Sequence, residues 1–177
     1  AFYGPKIDIH IKDSQDRDWQ LATIQLDFQI PEKMELEYID SDGKGKRPVI
    51  IHRAILGSLE RFIGILTEHY QGAFPLWLSP VQVAILPITN KHTRHAEKLA
   101  TELRKGGIRV EIGSRSETLQ SKIREATLQK VPYLGIIGDR EVEDGNLLSV
   151  RNRKGDSKSM EISEFLVSLK KEIEQKF

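Results

Sequence analysis

Hydrophobic and polar positions alternate along the first part of the chain. Residues 7–11 and 19–28 each follow a period of two, which predicts two strands that pair as an antiparallel hairpin. The polar segment KDSQDRD at 12–18 predicts the turn between them. Strict alternation in the second strand separates two sets of side chains, Trp19, Leu21, Thr23 and Gln25 on one side and Gln20, Ala22, Ile24 and Leu26 on the other.

The period changes within the stretch from Pro48 to Leu66. Residues 49–51 form a short apolar run that predicts a buried strand, and from His52 onward the spacing becomes helical. The apolar positions of this predicted helix share one face, which comprises Ile55, Leu59, Phe62, Ile63 and Leu66.

A second face of the same predicted helix carries Arg53, Gly57, Arg61 and Gly64. Glycine inside a helix costs about 1 kcal/mol relative to alanine, so two glycines beside an arginine need a reason. Either a neighbouring helix packs closely here, or a flat ligand lies on bare backbone with Arg61 closing over it. The spacing alone leaves both explanations open.

From residue 81 onward strands and helices alternate. The pattern predicts strands at 81–88, 108–112, 131–137 and 147–151, and helices at 90–105, 118–130 and 163–176. Between them it predicts a turn at 138–139 and a polar loop at 152–159. This order predicts a mixed sheet with helices on its faces, and inward-facing helix positions at Leu119, Ile123, Ala126, Leu128, Phe165, Leu166, Leu169 and Ile173. A boundary near Ser79–Pro80 gives two domains, 1–79 and 80–177.

Composition excludes several classes of protein. The 177 residues are 38% hydrophobic and 30% charged, which is typical of a globular protein, and no apolar run reaches the length of a membrane span. Cysteine is absent, which excludes disulfides and thiolate metal sites within this chain. Neither a secretory leader nor a nucleotide-binding glycine-rich loop is present.

Charge is distributed unevenly. Residues 1–79 carry 9 basic and 12 acidic side chains, a net charge of −3, whereas residues 80–177 carry 18 and 14, a net charge of +4. Seven of the basic side chains lie between 104 and 130 against three acidic ones. Such an excess is usually a solvated face, but it also suits a polyanion such as RNA.

The segment RAILGSLERF at 53–62, directly after a predicted strand, resembles motif 3 of the class II aminoacyl-tRNA synthetases. With His52 before it, the segment is similar to the threonyl-tRNA synthetases in particular. The resemblance implies an α/β protein, in which part of a class II antiparallel-sheet catalytic domain precedes an anticodon-binding domain with a mixed sheet. It implies a threonine–tRNA ligase, which activates threonine with ATP and Mg²⁺ and transfers it to threonine tRNA.

The resemblance also assigns residues. It implies ATP binding by Lys6, Gln20, Thr23 and the catalytic Arg61, which lies over adenine and reaches phosphate. It implies threonine binding by Tyr3, Gln25 and Ser58, and anticodon binding by Arg115, Arg124, Glu141 and Arg151, with Glu141 and Arg151 reading base edges. Each has a structural alternative: a turn, cross-strand pairs of a sheet, or a solvated charged face.

His52 is the one metal-ligand candidate. A lone histidine is more often a satisfied structural residue than a ligand. The family resemblance instead implies that His52 is one of three protein ligands of a zinc ion, which leaves an open position for threonine. The other two ligands, a cysteine and a histidine, are expected upstream of this chain, so the chain alone should not hold zinc tightly.

The resemblance implies the C-terminal part of a longer synthetase. The motif 2 arginine and the dimer-forming motif 1 would lie elsewhere, so this chain alone should not catalyse threonine-dependent pyrophosphate exchange. We expect the longer protein to be a cytoplasmic homodimer without a membrane partner. Two alternatives stay open: a non-catalytic anticodon-type RNA-binding module, and an inactive piece.

Overall fold

A computed structural model describes residues 2–176 and divides the chain into two compact units, Ala1–His69 and Tyr70–Phe177. Residues 70–79 therefore belong with the second unit, whereas a domain boundary at 79/80 stays a prediction. Within residues 2–176, no helix combines the length and the apolar character that crossing a bilayer requires.

The first unit is built on a three-stranded antiparallel sheet with β2 at its centre. Its strand order is β1–β2–β5, and a separate two-stranded ribbon pairs β3 with β4. The predicted hairpin is thereby confirmed as the pair β1 and β2. The elements are β1 (Lys6–Lys12), β2 (Asp18–Asp27), α1 (Gln29–Lys33), β3 (Tyr38–Ile39), β4 (Gly45–Lys46), β5 (Ile50–Ala54) and α2 (Leu59–His69).

A bulge interrupts the pairing of β1 with β2. Ile9 pairs with Ala22 and His10 pairs with Gln20, so Leu21 has no partner in β1. The extra residue reverses the alternation on its far side. Gln20 therefore lies on the face of Thr23 and Gln25, and the prediction that it lies on the opposite face is wrong.

Helix α2 begins at Leu59, later than predicted. Arg53 lies in β5, and Gly57 lies in the turn that follows, where its φ of 66° is in the left-handed region that favours glycine. Arg53, Gly57 and Arg61 therefore do not share one helix face, and that prediction is wrong. The reason is that the strand continues through His52 to Ala54 before the chain turns.

The predicted apolar face of this helix is wrong in part: Phe62 and Leu66 are partly buried, but the other three residues are exposed. Ile55, Leu59 and Ile63 are 59%, 64% and 57% exposed, whereas Ile65 is buried. The later helix start puts Ile55 outside the helix, and within the described residues the inward face is centred on Ile65.

The second unit is built on a five-stranded mixed sheet of order β10–β9–β8–β6–β7. Strands β7, β6 and β8 are parallel, and β9 and β10 add antiparallel pairs at one side, which confirms the predicted mixed sheet. The elements are β6 (Val83–Pro87), a 3₁₀ turn (Asn90–His92), α3 (Thr93–Lys105), β7 (Val110–Ile112), α4 (Leu119–Leu128), β8 (Tyr133–Ile137), α5 (Asp139–Asp144), β9 (Leu147–Asn152), β10 (Ser157–Glu161) and α6 (Ile162–Gln175).

Each face of this sheet has its own apolar cluster. Helices α3 and α6 cover one face, where Phe165 and Leu169 are buried as predicted. Helix α4 covers part of the other face through Ala126, against Leu86 and Leu134. The predicted inward position of Leu128 is wrong: this side chain is 69% exposed, and the helix buries Lys122 instead.

Several elements that are too short to show a hydrophobic repeat were not predicted from the sequence. Helix α1 and the ribbon of β3 and β4 lie in a segment predicted to be a connection, and α5 replaces a predicted turn at 138–139. Strand β10 lies within the predicted polar loop at 152–159 and continues to Glu161. A helix of 6 residues is too short to show an amphipathic repeat.

Two arginines of the second unit donate hydrogen bonds to main-chain carbonyls of residues 73–79. Arg153, at the turn after β9, donates to the carbonyls of Phe74 (2.6 Å), Ala73 (3.2 Å) and Lys130. Arg109 donates to the carbonyls of Ser79 and Trp77, both at 2.9 Å. These bonds account for the inclusion of residues 70–79 in this unit.

Replacing Arg153 by methionine should destabilise the second unit, because several main-chain carbonyls lose their donor together. We expect a loss of roughly 1–3 kcal/mol in the free energy of unfolding, measured with denaturant. The matched control is Lys154→Met, which removes an exposed charge from the same turn. Equal stability of the two variants would contradict the fastening role of Arg153.

Candidate functional site

Polar side chains cover one face of the first unit's sheet. The register places Lys6 opposite Gln25 and Asp8 opposite Thr23, and places Gln25 opposite His52 on the other side of β2. Side chains of directly paired residues lie on the same face of a sheet. With Gln20 added by the bulge, five residues predicted from the family resemblance share this face, namely Lys6, Gln20, Thr23, Gln25 and His52.

Hydrogen bonds connect these side chains to one another. The Tyr3 hydroxyl donates to Gln25 Oε1 at 3.1 Å, and the Gln25 amide donates to the Thr23 hydroxyl at 3.5 Å. Tyr3, predicted to line the threonine pocket, is thus brought to the same face. Its ring also lies edge-on to that of His52, with 6.4 Å between the ring centroids.

Asp8 organises the other end of this face. Its carboxylate accepts from Gln20 Nε2 at 2.7 Å and lies 2.6 Å from the Lys6 ammonium. Hydrogen bonds from Lys6, and then from Thr23, hold the pKa of Asp8 below its ordinary value. Asp8 therefore fixes the position of a cation and an amide that were both assigned to ATP.

His52 is oriented by a buried carboxylate. Its Nε2 lies 2.9 Å from Asp27 Oδ2, and Asp27 is only 1% exposed. The Ile30 amide, the His52 ring and the Gln29 amide donate to Asp27 and outweigh its burial, so the pKa of Asp27 is lowered. An ionised carboxylate only accepts hydrogen bonds, so Nε2 of His52 is the donor, and in a neutral ring Nδ1 carries the free lone pair.

A histidine held this way is typical of a metal ligand, because the other ring nitrogen of such a ligand usually donates to a carboxylate. Within residues 2–176, however, no group of three or more histidine, aspartate or glutamate side chains could hold a metal ion. His52 can therefore supply one ligand of a metal site, and the described chain does not complete it.

Arg61 lies where the bulge of β2 meets the start of α2. Its Nη2 donates to the Gln20 carbonyl at 2.7 Å, and its amide donates to Ser58 Oγ at 3.3 Å. A Cβ added to Gly57 would lie 2.5 Å from Arg61 Nη2 and 3.6 Å from the Leu21 carbonyl oxygen. The absence of a side chain at Gly57 thus leaves room for the guanidinium beside the backbone.

This arrangement changes the expected role of the glycines. Arg61 itself occupies the space beside Gly57, so no ligand lies between them. A Cβ added to Gly64 would have open space around it, so Gly64 is not explained by close packing. Arg61 is exposed, and its outward side is available to a flat ligand. Ser58, assigned to the threonine site, has its hydroxyl on the first turn of α2.

Two residues of this face were not singled out from the sequence, Asp8 and Asp27. Asp27 follows the last apolar position of β2, and its Oδ1 accepts from the amides of Gln29 and Ile30 at 3.0 Å each. Asp27 lies one residue before the N-cap Phe28 of α1, and an aspartate just ahead of a helix is a signal that was available in the sequence. Nothing in the local pattern of Asp8 distinguishes it from a solvent-facing strand residue.

The predicted anticodon residues lie in the second unit. Arg115 and Glu141 follow the carboxyl ends of the parallel strands β7 and β8, which meet at one edge of the sheet. Arg124 lies on α4. Arg151 lies on β9 opposite Leu134, a residue of the α4-side cluster, so it faces the same side of the sheet as α4.

Glu141 is buried and already used within the chain. Its Oε2 accepts from the Gly138 amide and its Oε1 from the Ser149 hydroxyl, both at 2.8 Å. Burial raises the pKa of Glu141, but these hydrogen bonds outweigh burial and the net shift is downward. Reading a base edge would require Glu141 to exchange its bond with Ser149.

Arg115 and Arg124 differ in how they are held. Arg115 pairs with Glu125 of α4 at 3.1 Å, and Arg124 is exposed on the same helix. Arg151 is partly buried, and its Nη2 lies 3.5 Å from a Cβ added to Gly155. The three arginines thus share the α4 side of the sheet, an arrangement that suits phosphate and base contacts with RNA.

Comparison with known proteins agrees with this division. Residues 1–70 match the family model of the tRNA synthetase class II core domain (G, H, P, S and T), and residues 82–172 match that of the anticodon binding domain. The first match covers the polar sheet face and Arg61, and the second covers all four predicted anticodon residues.

Curated relatives are similar over nearly the whole chain. The threonine–tRNA ligase of Caldanaerobacter subterraneus subsp. tengcongensis is 58% identical over 99% of this chain, and that of Thermotoga neapolitana is 56% identical over 98%. In both comparisons the chain spans 27% of the relative, so it is similar to about a quarter of their length.

A solved structure is also similar. The RNA binding domain of threonyl-tRNA synthetase from Cryptosporidium parvum Iowa II superposes with a TM-score of 0.85 at 39% sequence identity, covering 97% of this chain and 44% of that chain. The chain belongs to the threonyl-tRNA synthetase family and carries sequences of its class II core and its anticodon-binding domain.

Proposed function

We propose that this chain works as part of a threonine–tRNA ligase, which activates threonine with ATP and Mg²⁺ and transfers it to threonine tRNA. The single observation that carries the proposal is the meeting of Arg61, Gly57 and Gln20 beside the polar sheet face. This geometry leaves a planar cation exposed beside Gln20, whose side chain shares a sheet face with Thr23 and Lys6, and such a cation suits a purine nucleotide.

In this proposal Arg61 stacks on adenine with its outward side and directs an N–H toward phosphate. A guanidinium suits both tasks, since it stacks on flat rings and donates to phosphate oxygens. Its bond to the Gln20 carbonyl fixes its position before ATP arrives, so little reorganisation is needed when charge builds up on the reacting phosphate. Lys6, held by Asp8, supplies a second positive charge.

Threonine would bind on the same face, nearer His52. Tyr3 and Gln25 already bond to each other, and Ser58 lies at the helix start beyond β5. The proposal includes a zinc ion with Nδ1 of His52 as one ligand, because the hydrogen bond to Asp27 favours the ring tautomer that leaves this nitrogen free. The metal would hold and orient the polar groups of threonine, with its remaining ligands supplied outside the described residues.

The second unit would bind the anticodon loop of the tRNA through Arg115, Arg124 and Arg151. The Arg115 guanidinium keeps its orientation through Glu125, and Arg151 lies on a rigid strand. Glu141 would contribute by orienting Ser149 and the start of α5. A cytoplasmic location and a homodimer of the longer protein stay predictions from the family resemblance.

The test is threonine-dependent pyrophosphate exchange by the longer protein that contains this chain. Arg61→Lys keeps the charge but loses the planar stacking surface, and we expect exchange to fall by roughly 10²–10³-fold, the usual cost of one lost preorganised donor. Arg53→Lys is the matched control, because Arg53 pairs with Ile24 on the opposite sheet face. Full activity of the Arg61 variant would contradict the proposed role of Arg61 in ATP binding. Absence of exchange by the native protein, with RNA binding retained, would favour an RNA-binding module instead.

Asp27→Asn tests the zinc part of the proposal. Asparagine can keep accepting from the Gln29 and Ile30 amides through Oδ1, but its NH₂ group then faces His52 Nε2. The His52 ring proton must move to Nδ1, which blocks the metal ligand. We expect the zinc affinity of the longer protein, measured by chelator competition, to fall about 10–100-fold.

Asp18→Asn is the control for this measurement, since Asp18 is exposed at the other end of β2. Equal zinc affinity in the two variants would show that His52 does not ligate through Nδ1.

A further inference from the structure

A half-open cavity of about 220 Å³ lies in the second unit between α4 and the strands β6 and β7. Ala84, Leu86 and Ala126 form apolar parts of its lining, and the loop after β7 lines it with Gly113 and Ser114. A Cβ added to Gly113 would lie 2.8 Å from a Leu86 methyl group, so only glycine fits here without displacing that wall. Of the residues assigned from the family resemblance, Arg115 lines this cavity, whereas Lys122, Ser114 and Gly113 carry no assignment.

Lys122 is the unusual residue of the lining. It is only 4% exposed, and its Nζ donates to the Pro87 carbonyl at 2.8 Å. An ammonium group has three N–H donors. Within the described residues, the Lys122 ammonium has no second acceptor and no carboxylate within ion-pair distance. A buried cation without a counter-ion is costly, which points to an anion that the cavity would receive.

The neighbouring charges leave this cation uncompensated. Glu125, one turn along α4, is engaged by Arg115 at 3.1 Å, and Glu111 is an exposed side chain of the lining. Arg115 lines the same cavity and uses one Nη for Glu125, so other N–H groups of its fork can reach a ligand. Ser114 adds a hydroxyl donor beside them.

We propose that this cavity binds a phosphate group of the RNA backbone, held by Lys122, Arg115 and Ser114. Phosphate oxygens accept several hydrogen bonds at once, which suits a buried ammonium with unused donors beside a guanidinium. Arg115 follows β7 and Glu141 follows β8 at the same end of the parallel strands. A bound RNA strand would therefore place one phosphate in this cavity, while its bases contact other residues on the α4 side of the sheet. This inference rests on the RNA binding of the proposed function.

The test is the salt dependence of binding between the full chain and an anticodon stem-loop of threonine tRNA. Lys122→Met should weaken binding roughly tenfold or more at low salt, because one charge-assisted contact is lost. The slope of log affinity against log salt should fall by about 0.7, the value for one phosphate contact on a single strand. Lys105→Met, which removes an exposed charge from α3 on the opposite sheet face, should leave this slope unchanged.

A second pair of variants covers the case in which Lys122→Met does not fold. Ser114→Glu places a carboxylate at the cavity and should weaken RNA binding, whereas the neutral Ser114→Gln should not. Inorganic phosphate should shift the amide NMR signals of Gly113 and Ser114 in the native chain and not in Ser114→Glu. Equal RNA affinity and equal slopes for the glutamate and glutamine variants would overturn the proposal, whatever inorganic phosphate does.

The proposed function is judged separately in the same experiment. Native binding that depends on the anticodon sequence supports anticodon recognition, and the Lys122 and Ser114 variants then decide only the phosphate site. If native binding ignores loop sequence while Lys122→Met still lowers the slope, the phosphate site stands and anticodon recognition does not.

Discussion

The first unit depends on a single unpaired residue in its central strand. Leu21 has no partner in β1, and this bulge turns Gln20 onto the face that carries Thr23 and Gln25. The same local bend aims the Gln20 carbonyl at Arg61 and brings the Leu21 carbonyl close to Gly57. Without the bulge, the Gln20 amide would lie on the sheet face opposite Thr23 and Gln25.

In both units, buried or paired acids orient the side chains that are candidates for ligand binding. Asp8 fixes Lys6, Asp27 fixes His52, and Glu125 fixes Arg115. Groups oriented in advance lose less freedom when a ligand binds, so each contact contributes more to affinity. Lys122 departs from this arrangement, because it is buried with only a carbonyl as its partner. This burial without a neighbouring acid, at the wall of a cavity, is the basis of the phosphate site proposed above.

The sequence predicted the architecture well where elements are long enough to show a period. The hairpin of β1 and β2, the mixed sheet and the buried face of α6 all follow from alternation and helical spacing. The predictions from the sequence failed where a single residue shifts the alternation of side chains. The bulge at Leu21 moves Gln20 to the other sheet face, and because β5 continues through Ala54, α2 begins later than predicted. Neither a bulge nor the last residue of a strand is encoded in periodicity.

The site was predicted by resemblance and not by pattern. Periodicity put Arg53 and Arg61 on one helix face, whereas they lie on different elements. Asp8 escaped because a carboxylate that orients a neighbour has the same local sequence as one that faces solvent, and the position of Asp27 before α1 does not reveal that it orients His52. Such residues become visible only when the sheet register places them beside their partners.

The most direct measurement is a structure, with ATP bound, of the longer protein that contains this chain. The account predicts that adenine stacks on the outward side of Arg61 while Arg61 keeps its bond to the Gln20 carbonyl, with the phosphates toward Lys6. A nucleotide bound on the opposite face, against Ile7 and Ile24, or an Arg61 side chain turned away from the nucleotide, would contradict it.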